Sequence, residues 1–226
     1  MKNLRLTDDG YVIKNDVAVG YYGDKHGKTM RFPEGICGID AGAVQHSPTT
    51  TRVEIPEGVE EIRELCFAGF SSLERIELPI SLKYIGNRAF QGCKNLKDIY
   101  IPSGVEFMGE NVFTGTSVTM LNIPDEISLK VRGICACSNI SRIILSSRVL
   151  ERFLLHSDAS PFGLCDLKEL VIDDTKYNAD EYYESYYKNG WDTASIKVLW
   201  GTPFVERLSL RTLWEKNGIE PTPIGA

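Results

Sequence analysis

The 226 residues of the chain are 42% hydrophobic and 25% charged and carry a formal net charge of −6, the make-up of an ordinary soluble globular protein. An acidic balance without any Lys/Arg cluster excludes a nucleic-acid backbone or an anionic membrane surface as the main partner. No stretch is long and apolar enough to span a bilayer, and Met1–Gly10 holds no apolar run of the signal-peptide kind, so a chain whose native start is Met1 is expected in the cytoplasm.

From the amino terminus, Tyr11-Val12-Ile13 and Val17-Ala18-Val19 flank a Lys14-Asn15-Asp16 turn, which predicts a β-hairpin. Residues 1–30 are read as a cap that covers the open end of the repeat array behind it. Gly23-Asp24-Lys25-His26-Gly27-Lys28-Thr29 superficially suggests a phosphate-binding loop. That motif needs four residues between its glycines and a helix after the Lys-Thr, so that backbone amides converge on phosphate. Three residues intervene here, and Met30-Arg31-Phe32-Pro33 opens a strand. A polar turn is the reading, and no nucleotide or other cofactor is expected.

The repeat itself begins at Pro33. Proline recurs as Pro33, Pro56, Pro79, Pro102 and Pro124, at spacings of 23, 23, 23 and 22. Three residues on stand Ile36, Val59, Leu82, Val105 and Ile127; six on, Ile39, Ile62, Ile85 and Met108. The pairs Ala43-Val44, Cys66-Phe67, Ala89-Phe90 and Val112-Phe113 follow, then Gly69, Gly92 and Gly115. Val53 and Ile55, Ile76 and Leu78, Ile99 and Ile101, and Leu121 and Ile123 close successive periods, and a proline-free sixth unit continues with Ile143, Leu145 and Val149. A fixed period in the low twenties is the mark of a solenoid, in which each unit hides its apolar face against its neighbours. The alternation before each proline predicts one short inward-facing strand per unit, and so a shared parallel sheet. Proline, lacking an N–H, ends the strand. The Ala-Phe pair is expected in a short helical or irregular turn on the far side, with phenylalanine plugging the interior.

The unit Pro79–Ile101, with Ile85-Gly86, Ala89-Phe90, Gly92-Cys93, Leu96 and Ile99, resembles leucine-rich repeats of the BspA-like kind, whose pattern is similar to I-P-x-x-V-x-x-I-G-x-x-A-F-x-G-C-x-x-L-x-x-I. It differs conservatively at Leu78 and Leu82. The resemblance covers residues 30 to 150, and the fifth and sixth units depart from it: Ile134-Cys135 stands near the place of Ala-Phe, and Ser146 replaces the proline. It implies an α/β-type repeat solenoid, a right-handed stack with a parallel β-sheet and short far-side turns. In function it implies a non-catalytic binding scaffold of the kind often found on microbial surfaces. A cell-surface or secreted location then requires that a leader be missing from the sequence.

Beyond Leu150 the period stretches to a last strand, Leu167–Ile172, so the solenoid is assigned 31–172. Residues 173–226 are read as a helix-strand-helix cap and tail. The first helix opens on Asn178-Ala179-Asp180-Glu181 and carries Tyr182, Tyr183, Tyr186 and Tyr187; the second starts at Thr202-Pro203. Of the six cysteines, Cys66 and Cys93 sit at repeat positions of successive units where small apolar residues belong, which suits buried free thiols. Cys135-Ala136-Cys137 lacks a second pair at zinc spacing, so no metal is assigned. His26, His46 and His156 fall in three separate regions with no sequence-local triad partner, and an enzyme is not expected.

Binding is expected on the outward face of the sheet. Its first column reads Arg52, Arg75, Asp98, Met120, Arg142 and Glu169; its second reads Glu54, Glu77, Tyr100, Asn122, Ile144 and Val171. The charged amino-terminal half grades into a more apolar carboxyl half, to be covered by the tyrosine-rich tail or by a partner. A protein partner is the first expectation, self-association of solenoids the second. Carbohydrate binding through the tail's tyrosines and Trp191 is the third.

Overall fold

The computed structural model describes residues 4–22, 27–44, 49–128, 139–146, 149 and, for the backbone, 169–172. The tail assigned to 173–226, all three histidines and the Cys135-Ala136-Cys137 motif lie outside these residues. The described strands in chain order are β1 (Leu4–Leu6), β2 (Tyr11–Lys14), β3 (Val17–Tyr21), β4 (Thr29–Arg31), β5 (Gly38–Ile39), β6 (Arg52–Glu54), β7 (Glu61–Ile62), β8 (Arg75–Glu77), β9 (Tyr84–Ile85), β10 (Phe107–Met108), β11 (Met120–Asn122), β12 (Arg142–Leu145) and β13 (Glu169–Ile172). They form a parallel-sheet solenoid of stacked coils around one hydrophobic core.

Among the described residues the repeat forms two columns of strands rather than the single one expected. The strand before the proline joins a front sheet, β4-β6-β8 or β11-β12-β13; the residue six after the proline lies in a two-residue strand of a back sheet, β1-β2-β3-β5-β7-β9-β10. In that back sheet Ile39, Ile62, Ile85 and Met108 point into the core, while Glu61, Tyr84 and Phe107 alternate outward, the two rings stacking at 4.7 Å. β2 and β3 form an antiparallel hairpin turning at Asn15 and Asp16, both at positive φ, and β3 pairs in parallel with β5. Thr29–Arg31 is a strand, so the Gly27-Lys28-Thr29 segment has no helix behind it to turn amides toward phosphate.

The far-side arcs are not α-helical. Apart from a 3-10 turn at Ala41–Ala43, the described arcs are turns, because alternate amides are spent on the following coil while those between them close turns within the arc, as Cys66 N–H does on Arg63 O and Ala68 N–H on Leu65 O. Phe67 N–H donates to Ala89 O at 2.8 Å and Gly69 N–H to Gln91 O at 2.7 Å; one coil later Phe90 N–H donates to Val112 O and Gly92 N–H to Thr114 O. On the back strands the direction reverses: Gly86 N–H donates to Ile62 O and Gly109 N–H to Ile85 O, each at 2.8 Å. Every central coil is therefore bonded to both neighbours. A helix would need those donors for its own i−4 carbonyls.

Inside the arcs Phe67, Phe90 and Phe113 form a ladder with ring centroids 5.6 and 6.0 Å apart and planes within 6° of parallel. The first coil has Val44 in this column, and Phe32 meets Phe67 edge-on at 6.1 Å; Tyr11 and Tyr21 continue the aromatic run beyond Phe32. Cys66 and Cys93 are free and buried, as their repeat positions suggest, while Cys37 is free and exposed. Burial pushes the Cys93 thiol up to about 12 and the Cys66 thiol well above its ordinary value, so neither is a nucleophile near neutral pH. Where the sixth unit lacks its proline, Ser146 makes the corner by hydrogen bonding. Its hydroxyl meets Asp125 Oδ1 at 2.6 Å and accepts from Val149 N–H at 3.2 Å.

Candidate functional site

Parallel pairing sets the outward columns in register. Arg52 lies beside Arg75 and Glu54 beside Glu77; Met120, Arg142 and Glu169 align, as do Asn122, Ile144 and Val171. β4 adds Thr29 and Arg31 at the amino-terminal end, two positions that the proline count leaves out. Like charges next to each other in a column would repel, and the second column supplies the compensation. A chain of ion pairs runs Arg31–Glu54 (2.8 Å), Glu54–Arg52 (3.1 Å), Arg52–Glu77 (3.2 Å) and Glu77–Arg75 (2.9 Å). The groups are half exposed, so each pair contributes about 0–1 kcal/mol. The network's main effect is to hold a flat charged surface in a defined pattern.

By the repeat count Asp98 and Tyr100 continue both columns, but the ladder skips them. The segment from Lys97 to Ile101 forms no strand, and the front sheet divides there into β4-β6-β8 and β11-β12-β13. Ile76 and Ile99, the inward residues on either side of the break, keep 5% and 8% exposure, whereas Val53 and Leu121 in the same column are at 0%. Between them opens a cleft of about 650 Å3 lined by Glu74, Arg75, Ile76, Glu77, Leu78, Ile80, Asp98, Ile99, Tyr100 and Pro102, a volume typical of ligand sites, about 300–1,000 Å3. On its far side Asn122 replaces the missing ladder bonds. Its side-chain oxygen accepts from Ile101 N–H at 3.0 Å and its amide donates to Ile101 O at 2.8 Å. Along the front ladder the fourth coil is thus clamped to the fifth and open toward the third, to which it stays bonded through the back strands and arcs.

The remaining expected residues are unevenly available. Asp98 is exposed; Tyr100, Met120, Asn122 and Arg142 are half-buried. Ile144 is not available, at 2% exposure. Neighbouring strand residues point to opposite faces, and Ile143, Ile144 and Leu145 are all buried, so β12 is closed on both sides. Glu74 and Ile80 of the cleft fall outside the columns that the sequence defines. Ile80 is the apolar residue just after Pro79, and it stands 67% exposed at the rim. Among the described residues no cluster of His, Cys, Asp and Glu is placed to hold a metal ion, and no helix is long and apolar enough to cross a membrane.

The family model for the BspA type Leucine rich repeat region matches in six copies, over residues 19–140 and 66–188. Among solved structures, a leucine-rich-repeat protein of T. pallidum superposes with a TM-score of 0.57 at 23% identity, covering 75% of this chain and 78% of that one. The pneumococcal vaccine antigen PcpA gives a TM-score of 0.61 at 20% identity, over 89% of this chain and 48% of that one. A leucine-rich cell surface protein of Faecalibacterium prausnitzii gives 0.52 at 20% identity, over 63% and 37%. The chain thus spans about half or less of the length of the latter two. At these identities the likeness is one of fold. No curated protein matches the sequence.

Proposed function

Because the chain belongs to the BspA-type leucine-rich-repeat family, a typical scaffold for protein interaction, we propose that it is a non-catalytic protein-binding module acting through the outward columns of its front sheets. The observation that carries this reading is the interruption at Asp98–Tyr100, which gives an otherwise flat charged face a cleft with apolar walls. Arg52, Glu54, Arg75 and Glu77 supply the charged half; Tyr100, Met120, Asn122 and Arg142 supply the mixed half. Tyrosine and arginine are the side chains that most often anchor protein interfaces. A cell-surface location accords with the F. prausnitzii neighbour, itself a cell surface protein. In this reading residues 1–30 and 173–226 close the two ends of the stack.

Affinity capture from the native cell with the full chain tests the proposal. Arg75→Ala combined with Tyr100→Ala is expected to lower recovery of the partner at least tenfold, with the denaturation midpoint little changed. Undiminished recovery would overturn the choice of face. One observation favours a second reading, self-assembly: β1 is an edge strand of the back sheet with Leu4 and Leu6 at 66% and 67% exposure, and an open apolar edge is a template for another strand. Sedimentation of the same preparation separates the two readings.

A further inference from the structure

The cleft has the form of a gap in a ladder, and the bonds around it show which backbone groups line that gap. Arg75 N–H donates to Thr51 O, so Arg75 and Glu77 direct their backbone groups toward the second coil. Amide and carbonyl directions alternate along a strand, so those of Ile76, with the carbonyl of Glu74, point the other way, into the cleft. At its base Ile76 and Ile99 keep 5% and 8% exposure. The rim is acidic: Glu74, Glu77 and Asp98 face one cation, Arg75, and Arg75 is already paired with Glu77. Neither Glu74 nor Asp98 forms an ion pair among the described residues.

We propose that this cleft receives an extended cationic peptide segment of a partner protein as an added strand, hydrogen-bonded to the open edge of β8. Strand addition takes its affinity from main-chain bonds and its selectivity from alternate side chains. Here the outward side chains of the guest lie in the columns of Arg75 and Asp98 and of Glu77 and Tyr100, within reach of the carboxylates of Glu74 and Asp98. These outward positions call for lysine or arginine. The inward side chains lie between Ile76 and Ile99 and call for a small apolar residue. The guest is therefore a short segment in which cationic residues alternate with valine-sized ones. This inference rests on the reading of the front face as a protein-binding surface and specifies its ligand.

The probe is a fluorescein-labelled decapeptide of alternating lysine and valine, titrated into the full chain by fluorescence anisotropy. Three comparison peptides carry glutamate in place of lysine, N-methyl groups on the lysine amides, or N-methyl groups on the valine amides. The glutamate peptide is expected to bind at least tenfold more weakly than the parent. At least one of the two methylated peptides should lose tenfold, because methylation deletes the donors of a single edge. The variant Glu74→Lys with Asp98→Lys should lose the preference for lysine over glutamate. Equal binding of the lysine and glutamate peptides, parental binding by both methylated peptides, or no binding of the parent overturns strand addition. If the peptides fail while Arg75→Ala with Tyr100→Ala still abolishes partner capture, the binding face stands and only its proposed ligand falls. If capture survives that double variant, the face itself is wrong.

Discussion

Replacing Phe90 with alanine is expected to lower the unfolding free energy by about 3–5 kcal/mol, the range for removing a buried phenylalanine from a core that cannot collapse around the void. Phe90 is fully buried, with Phe67 stacked on one face and Phe113 on the other. The backbone around it cannot close in, because Phe90 N–H is bonded to Val112 O and Phe67 N–H to Ala89 O. A solenoid's stability is approximately the sum of its units and their nearest-neighbour interfaces, so the loss falls on two interfaces at the middle of the stack. Urea denaturation of the full chain measures it against Arg75→Ala. That exposed change breaks one surface ion pair and is expected to cost under about 1 kcal/mol. A larger loss at Arg75 than at Phe90 would mean that inward and outward positions have been exchanged.

Gly86→Ala is expected to rank beside it, near the upper end of the roughly 1–3 kcal/mol typical of overpacking. A Cβ at Gly86 would lie 2.3 Å from Glu64 N and 2.6 Å from Arg63 C, both backbone atoms of the preceding coil. Nothing flexible can move aside, since the coils are held at this distance by the Gly86 N–H to Ile62 O bond. Gly109 meets Asn87 in the same way one coil later. Gly27, where a Cβ would have nothing within 4 Å of it, is the control: alanine there is expected to change stability by no more than about 0.5 kcal/mol. The two midpoints in one denaturation series check the claim, and a Gly86→Ala protein as stable as Gly27→Ala would contradict it.

The front columns are legible in the sequence because a period-2 strand leaves two inward residues per unit, and these together with the recurring prolines are enough to set register. Arg52 beside Arg75 and Met120 beside Arg142 follow from it. The back sheet is not legible as a sheet. A two-residue strand contributes a single inward side chain, so Ile39, Ile62, Ile85 and Met108 announce a buried column but no alternation. The Ala-Phe pair suits a short helical or an irregular turn by composition and does not choose between them. What decides its conformation is the carbonyl row of the next coil, a tertiary partner that local propensity does not contain.

The break at Asp98–Tyr100 is hidden for a different reason. Ile99 and Ile101 fit the repeat as well as any unit, and both are buried. The marks that do exist lie one coil further on, where the proline spacing shortens to 22 and Asn122 occupies an outward position. An asparagine side chain can supply both a donor and an acceptor, and at Asn122 it stands in for a ladder. Ile144 shows the converse: alternation assigns it to the outward side, but direction along a strand does not decide what covers the face.

Amide hydrogen exchange of the full chain, read residue by residue, tests most directly whether the front ladder is open between the third and fourth coils. Val53 and Ile76 occupy the same column, one with β8 as its neighbour and one facing the cleft. The expected result is an Ile76 amide that exchanges at least tenfold faster than that of Val53. Equal protection of the two amides would contradict it, because it would mean that the parallel ladder runs unbroken through Asp98–Tyr100 and that no strand-sized gap exists.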